Sequence, residues 1–149
     1  LFTPERFPIF IWESAPGRAW YGFPAIGEGS GGFKVALHHQ GEPAHPDTVR
    51  RTVAESEVQA MRALLDRFIP DAAGEHLRAA VCLYTNTPDH HFLIDRHPRD
   101  EGVWIVSPCS GHGFKFASVI GEVVAAEVCG RDPGFDLRPF RLARFAGRA

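Results

Sequence analysis

Two stretches hold residue types that can do chemistry. Ser110-Gly111-His112-Gly113-Phe114-Lys115-Phe116 is a glycine-flanked turn ahead of an apolar run. It predicts backbone N–H groups presented at a helix start, which suit an anion or a developing negative charge. Lys115 then falls in a first helical turn, where the helix dipole favours acids. An anionic ligand is one reason for a lysine there; an ordinary solvated lysine after a glycine-rich turn is the other. The second stretch is Val81-Cys82-Leu83-Tyr84-Thr85, followed by Asp89-His90-His91-Phe92-Leu93-Ile94-Asp95. Cys82 lies in a strand pattern. It is either a buried apolar thiol or a nucleophile and covalent attachment point.

Regular elements must position these stretches. Phe7 to Glu13 reads as extended, Ser14-Ala15-Pro16-Gly17 as a turn, and Arg18 to Phe23 as the returning strand of a hairpin. Gly27 to Gly32 holds four glycines and marks a loop. Phe33 to His38 alternates as a strand does. Ser56 and Gln59 have capping-box spacing, and Val58, Met61, Leu65 and Phe68 share one helical face that Pro70 closes. Strands are expected over Ala79–Thr87, His91–Asp95 and Val103–Ser107. A last helix is expected from near Gly113 to Cys129, with Gly130 at its cap and Pro133 beyond. Arg138 to Phe145 is short, basic and aromatic. The fold class is α+β, a mixed and largely antiparallel sheet with two main helices. No strand leads into GxGxxG and a helix, so the chain has no dinucleotide fingerprint of its own.

Bulk properties narrow the field further. A chain of 149 residues, 44% apolar and 23% charged, is globular. A net charge of −2 with mixed signs argues against nucleic acid or an anionic membrane surface. No run approaches the roughly 18 apolar residues of a membrane span. The 3 cysteines are far apart with no CxxC, so a reducing cytoplasm is the expected setting. His90, His91, His97 and His112 invite a metal reading, but neither HExxH nor a Cys/His knuckle occurs, and no metal is expected. The start at Leu1 already reads as folded sequence, which suggests a fragment.

The motifs, taken in order, carry a resemblance over nearly the whole chain. Cys82-Leu83-Tyr84-Thr85 resembles the CxYT segment of the monomeric sarcosine oxidase and N-methyltryptophan oxidase family, within the D-amino acid oxidase superfamily. His91-Phe92-Leu93-Ile94-Asp95 with His97-Pro98 resembles that family's HFxID-x-HP stretch. Ser110 to Phe116 is similar at every position to its SGHGFKF segment. Tyr21-Gly22-Phe23-Pro24, Phe33 to His38 and Pro46-Asp47-Thr48 resemble its YGFP, LKxGxH and DPDT stretches. The sequence departs from the pattern at Pro108 and Cys109 before SGHGFKF, at His39 after His38, and in the glycine-rich Gly29–Gly32. These departures imply a differently shaped pocket.

The resemblance implies a two-domain flavoprotein of which this chain is the substrate-binding, C-terminal portion, with the Rossmann half absent. Residues 1–110 would be the substrate-binding sheet domain, and 111–149 a helix and tail returning to the FAD domain. The intact protein would oxidise a secondary amine bearing a carboxylate, such as an N-methyl amino acid, and pass the electrons through FAD to oxygen, giving peroxide. Cys82 would bond covalently to FAD, and Gly111, His112, Gly113 and Phe114 would lie against it. Lys115 would pair with the substrate carboxylate, Tyr84 and His38 would line the pocket, and Lys34 would promote the oxygen step. The isolated fragment would be inactive and hold no tight FAD. Other classes stay open: a non-catalytic interaction domain, and a His-rich metal-dependent hydrolase. The 12 Phe and 3 Trp fit an apolar face where the missing FAD domain would dock, or through which the fragment would pair as a homodimer.

Overall fold

The computed structural model describes residues 1–26 and 31–147, in two compact units, Leu1–Leu83 and Tyr84 onward. Most of the glycine-rich loop expected at Gly27–Gly32 lies outside the described residues.

The first unit is a three-stranded antiparallel sheet with one helix. Strands β1 (Phe10–Ala15), β2 (Arg18–Phe23) and β3 (Lys34–His38) run in that order, with a β-bulge between Glu13 and Ala15. Register gives each face its content, because successive side chains alternate. Phe10 opposes Gly22 and Trp12 opposes Trp20, so these share one face. That face packs: Trp20 is 1% exposed, with Phe10, Trp12 and Phe68 rings 5.2–5.6 Å from it. Gly22 is required there, since a Cβ would meet the Phe10 ring at 2.5 Å and the Lys34 carbonyl at 2.6 Å.

Phe68 comes from helix α1 (Glu55–Phe68), on which Leu65 is buried as its period predicts. The cap falls earlier than expected. Ala54 is the N-cap, and the Glu57 carboxylate accepts its N–H at 2.7 Å. Ser56 and Gln59 are already inside the helix. Ala54 has no side-chain oxygen, so Glu57 supplies half of the reciprocal arrangement by itself. That bond, with Arg50 beside it, holds the Glu57 carboxyl below its ordinary range.

The second unit joins a hairpin, β4 (Leu93–His97) and β5 (Asp100–Ser107), to helix α2 (Ala117–Val128). Phe92, Ile94, Val123, Ala126 and Leu137 form its core. Instead of the one mixed sheet expected, the described residues hold two separate sheets, both antiparallel. Ala79–Thr87, expected as a strand, is in no ladder among the described residues. The α+β class stands. No described helix is long and apolar enough to cross a membrane.

Candidate functional site

The solvent-facing side of the first sheet carries two of the residues singled out by sequence. In register, Phe23 opposes Lys34, Tyr21 opposes Ala36, and Ala19 opposes His38. Lys34 and His38 therefore share a face with Tyr21 and Phe23, opposite the packed tryptophans. Lys34 is exposed, and its Nζ lies 5.4 Å from the Tyr21 ring centre and 5.1 Å from that of Phe23. Aromatic faces attract a cation at this range. His38 meets the Tyr21 ring edge-on at 6.1 Å. Tyr21 was not singled out from the sequence. The signal was available: it stands two residues before Phe23, on the same face by period.

His39 follows β3 with φ 53 and its ring 4.2 Å from that of His38. A non-glycine residue in the left-handed region is uncommon. This departure from the family pattern thus coincides with a local change of chain direction.

At the end of the first unit, Cys82 is an exposed free thiol, as are Cys109 and Cys129. Among the described residues, nothing buries Cys82 in this chain. An exposed thiol is open to chemistry.

In the second unit, the loop before α2 is built around Ser110, which is 1% exposed and left-handed at φ 48. Its N–H donates to the Thr85 carbonyl at 2.9 Å, and its Oγ accepts the Thr87 N–H at 3.3 Å. The same hydroxyl lies 3.4 Å from the His91 carbonyl, to which it donates. Gly113 is buried against Pro108, whose carbonyl oxygen would stand 1.5 Å from an added Cβ. Only glycine fits there. His112 stacks on Phe92 at 4.8 Å, and its Nδ1 lies 2.9 Å from the Ser110 carbonyl. Ser110, Gly113 and His112 thus fix the loop from inside.

What the loop presents outward is Phe114, 95% exposed, and the exposed Lys115. The helix starts later than expected: Phe114–Phe116 is a 3-10 turn, and α2 begins at Ala117. Lys115 donates to the His112 carbonyl at 3.2 Å and lies 5.0 Å from the Phe116 ring centre. Neither of these two partners is anionic. Tyr84 begins this unit and is half-buried. Gly111 takes φ 76 beside Ser110.

Sequence reasoning also missed the ionic ties of the second unit. The Arg144 guanidinium donates to both Asp89 carboxylate oxygens, at 2.7 and 3.2 Å. With the His91 N–H and the Thr87 hydroxyl, that bond holds the Asp89 carboxyl far below the usual range. Arg141 pairs with Glu127 at 2.6 Å and Asp95 at 3.5 Å, and Asp95 also accepts the Leu142 N–H at 2.8 Å. The basic-aromatic tail, of unassigned state in the sequence, is two 3-10 turns, Arg138–Phe140 and Leu142–Phe145, clamped by these pairs. Among the described residues no group of three or more His, Cys, Asp or Glu could hold a metal ion.

Residues 2–127 match the family described as FAD dependent oxidoreductase. Monomeric sarcosine oxidase from Streptomyces avermitilis is 50% identical over 125 residues, which is 83% of this chain and 33% of that protein. Monomeric sarcosine oxidase from Bacillus sp. (strain NS-129) is 42% identical over 143 residues, 95% of this chain and 36% of that protein. N-methyl-L-tryptophan oxidase from Salmonella heidelberg is 39% identical over 150 residues, 97% and 38% respectively. The chain spans about a third of the length of these curated relatives.

Proposed function

The chain belongs to the FAD dependent oxidoreductase family, and from that premise we propose that it is the substrate-facing part of an amine oxidase. The full-length protein oxidises a secondary amine bearing a carboxylate, such as an N-methyl amino acid, and makes hydrogen peroxide. The observation that carries this reading is the division of labour in the first sheet. One face is packed with tryptophan and phenylalanine, while the other carries the exposed Lys34 and the half-buried His38 and Tyr21.

The side chains present suit a flavin. Cys82 is an exposed thiol able to form a thioether to the ring system. Phe114 offers an uncovered ring beside Gly111, on the loop that Gly113 closes against Pro108. When bound, FAD supplies the acceptor for the electrons that leave the amine and passes them to oxygen. The chain's own residues do the rest. Lys115 holds the substrate carboxylate by a charge-assisted hydrogen bond, which fixes the amine's orientation. Tyr84 and His38 are each assigned a contact with the substrate. Lys34, cationic and backed by two aromatic rings, stabilises the negative charge that develops on oxygen. His112 holds the 111–114 loop through Phe92. In this reading residues 1–110 form the substrate-binding sheet domain, 111–149 are the helix and tail that return to the FAD domain, and the reaction takes place in the cytoplasm.

The test uses the full-length protein. Purified and supplied with N-methyl amino acids in air, it is expected to release one peroxide per oxygen consumed. Absence of oxygen uptake across sarcosine, N-methyltryptophan and pipecolate would sink the amine-oxidase reading. The 149-residue chain alone is expected to be colourless and inactive.

A further inference from the structure

We infer that Ser110 is a positioning residue for Lys115: its buried hydroxyl and backbone brace the turn that aims the lysine at the substrate carboxylate. The brace stands on its own geometry; the carboxylate at its end rests on the amine-oxidase reading.

Ser110 is 1% exposed and sits in the left-handed region at φ 48. A serine is strained there, and a glycine would not be. Glycine already occupies 111 and 113 in the same turn. What glycine cannot supply at 110 is the hydroxyl. That hydroxyl accepts the Thr87 N–H at 3.3 Å and donates to the His91 carbonyl at 3.4 Å. The Ser110 N–H donates to the Thr85 carbonyl at 2.9 Å. Three bonds therefore anchor this one residue to the 85–91 stretch.

The tie also runs forward to the lysine. The Ser110 carbonyl lies 2.9 Å from His112 Nδ1. A carbonyl only accepts, so Nδ1 is the donor. The same ring stacks on the buried Phe92 at 4.8 Å, which holds His112 from its own side chain. The His112 carbonyl in turn accepts from Lys115 Nζ at 3.2 Å. An ammonium has three donors, so this bond is compatible with others to a carboxylate. A lysine stem is flexible, and a fixed carbonyl narrows the positions its Nζ samples. A residue that acts through Lys115 cannot matter more to the carboxylate than Lys115 itself.

The experiment uses the full-length, flavin-loaded protein with Ser110→Ala. Ser110→Gly, which suits the left-handed backbone, serves if the alanine variant fails to fold. Either is expected to raise KM for N-methyl amino acids about three- to tenfold with kcat within about twofold of wild type. With Lys115 already methionine, the same change is expected to move KM by less than about 1.5-fold. Glu127→Gln breaks an ion pair elsewhere in the unit, and is expected to lower the unfolding midpoint without moving KM. An unchanged KM in the serine variants overturns the inference. So does an equal rise with and without Lys115, because the serine then acts on the fold and not through the lysine.

Hydrogen–deuterium exchange on the same samples reads the brace without substrate. The His112 and Phe116 amides are bonded inside the turn at 3.2 and 2.9 Å. In the serine variants they are expected to exchange about tenfold faster, together with Thr87, and in Glu127→Gln to stay as in wild type. Faster exchange at Thr87 alone overturns the brace. Faster exchange at all three in a protein that oxidises no carboxylate-bearing amine would fail the amine-oxidase reading and leave the brace standing.

Discussion

The two units hold their chemistry-bearing residues by different means. In the first, Lys34 and His38 stand on β3, and the register with β2 decides which way they face. Their support is apolar: Trp20, Phe10, Trp12 and Phe68 fill the opposite face. In the second, Lys115 stands on a loop and 3-10 turn whose form is set by polar bonds to one buried serine and by one glycine without room for a Cβ. Its surroundings are tied by ion pairs, Asp89 with Arg144 and Arg141 with Glu127 and Asp95. A ladder tolerates many sequences that keep the alternation. A knot of specific bonds tolerates few, because each buried polar group left without its partner costs about 1–3 kcal/mol.

The contrast can be broken or sharpened by substitution. The largest effect is expected on the ladder side. Lys34→Met in the full-length protein removes a charge without disturbing a ladder bond, so the rate of flavin reoxidation by oxygen should fall about a hundredfold or more while amine-driven flavin reduction holds. Equal losses in both half-reactions, measured by stopped flow, would remove the assigned role. On the knot side, Gly113→Ala places a methyl inside the Pro108 carbonyl contact and should cost about 2–3 kcal/mol in denaturant unfolding. An unchanged midpoint would show the loop to be looser than described. Lys115→Met should raise KM for N-methyl amino acids about tenfold, the value of one charged hydrogen bond, with kcat little altered.

The smallest effect concerns acid. Asp89 has its carboxyl depressed by Arg144, so its contribution is present above the ordinary aspartate pKa of about 3.9 and fades as pH falls below it. Asp89→Asn should flatten the pH dependence of stability below about pH 4 and leave its slope near neutrality unchanged. A wild-type slope in the variant would remove the pair from the account.

This contrast also explains what could be read from residue order. The turn at Ser14–Gly17 located β2 and period-2 alternation located β3; the faces of Lys34 and His38 followed only from the register with β2. The 3.6-residue period located Leu65 and Phe68 on α1. The cap at Ala54 escaped because the residue there has no capping side chain, and Glu57 supplies the bond instead. Ser110 as the centre of the second unit escaped for a related reason: a buried hydroxyl holding three segments has no periodic signature. Nor do an ion pair 55 residues apart, Arg144 with Asp89, and a hydrogen bond 47 residues apart, the Leu142 N–H to Asp95. Lys115 and Cys82 were found through resemblance of whole motifs, since their residue types left two readings open. Ala79–Thr87 has a strand's pattern but joins no ladder among the described residues, because pairing needs a second strand as well as a willing sequence.

The central claim is that these residues face a flavin that takes electrons from an amine. The most direct measurement is anaerobic mixing of the full-length, flavin-loaded protein with an N-methyl amino acid. The account predicts bleaching of the oxidised flavin absorbance at a rate that saturates with amine concentration. A flavin spectrum unchanged by any carboxylate-bearing secondary amine would contradict it.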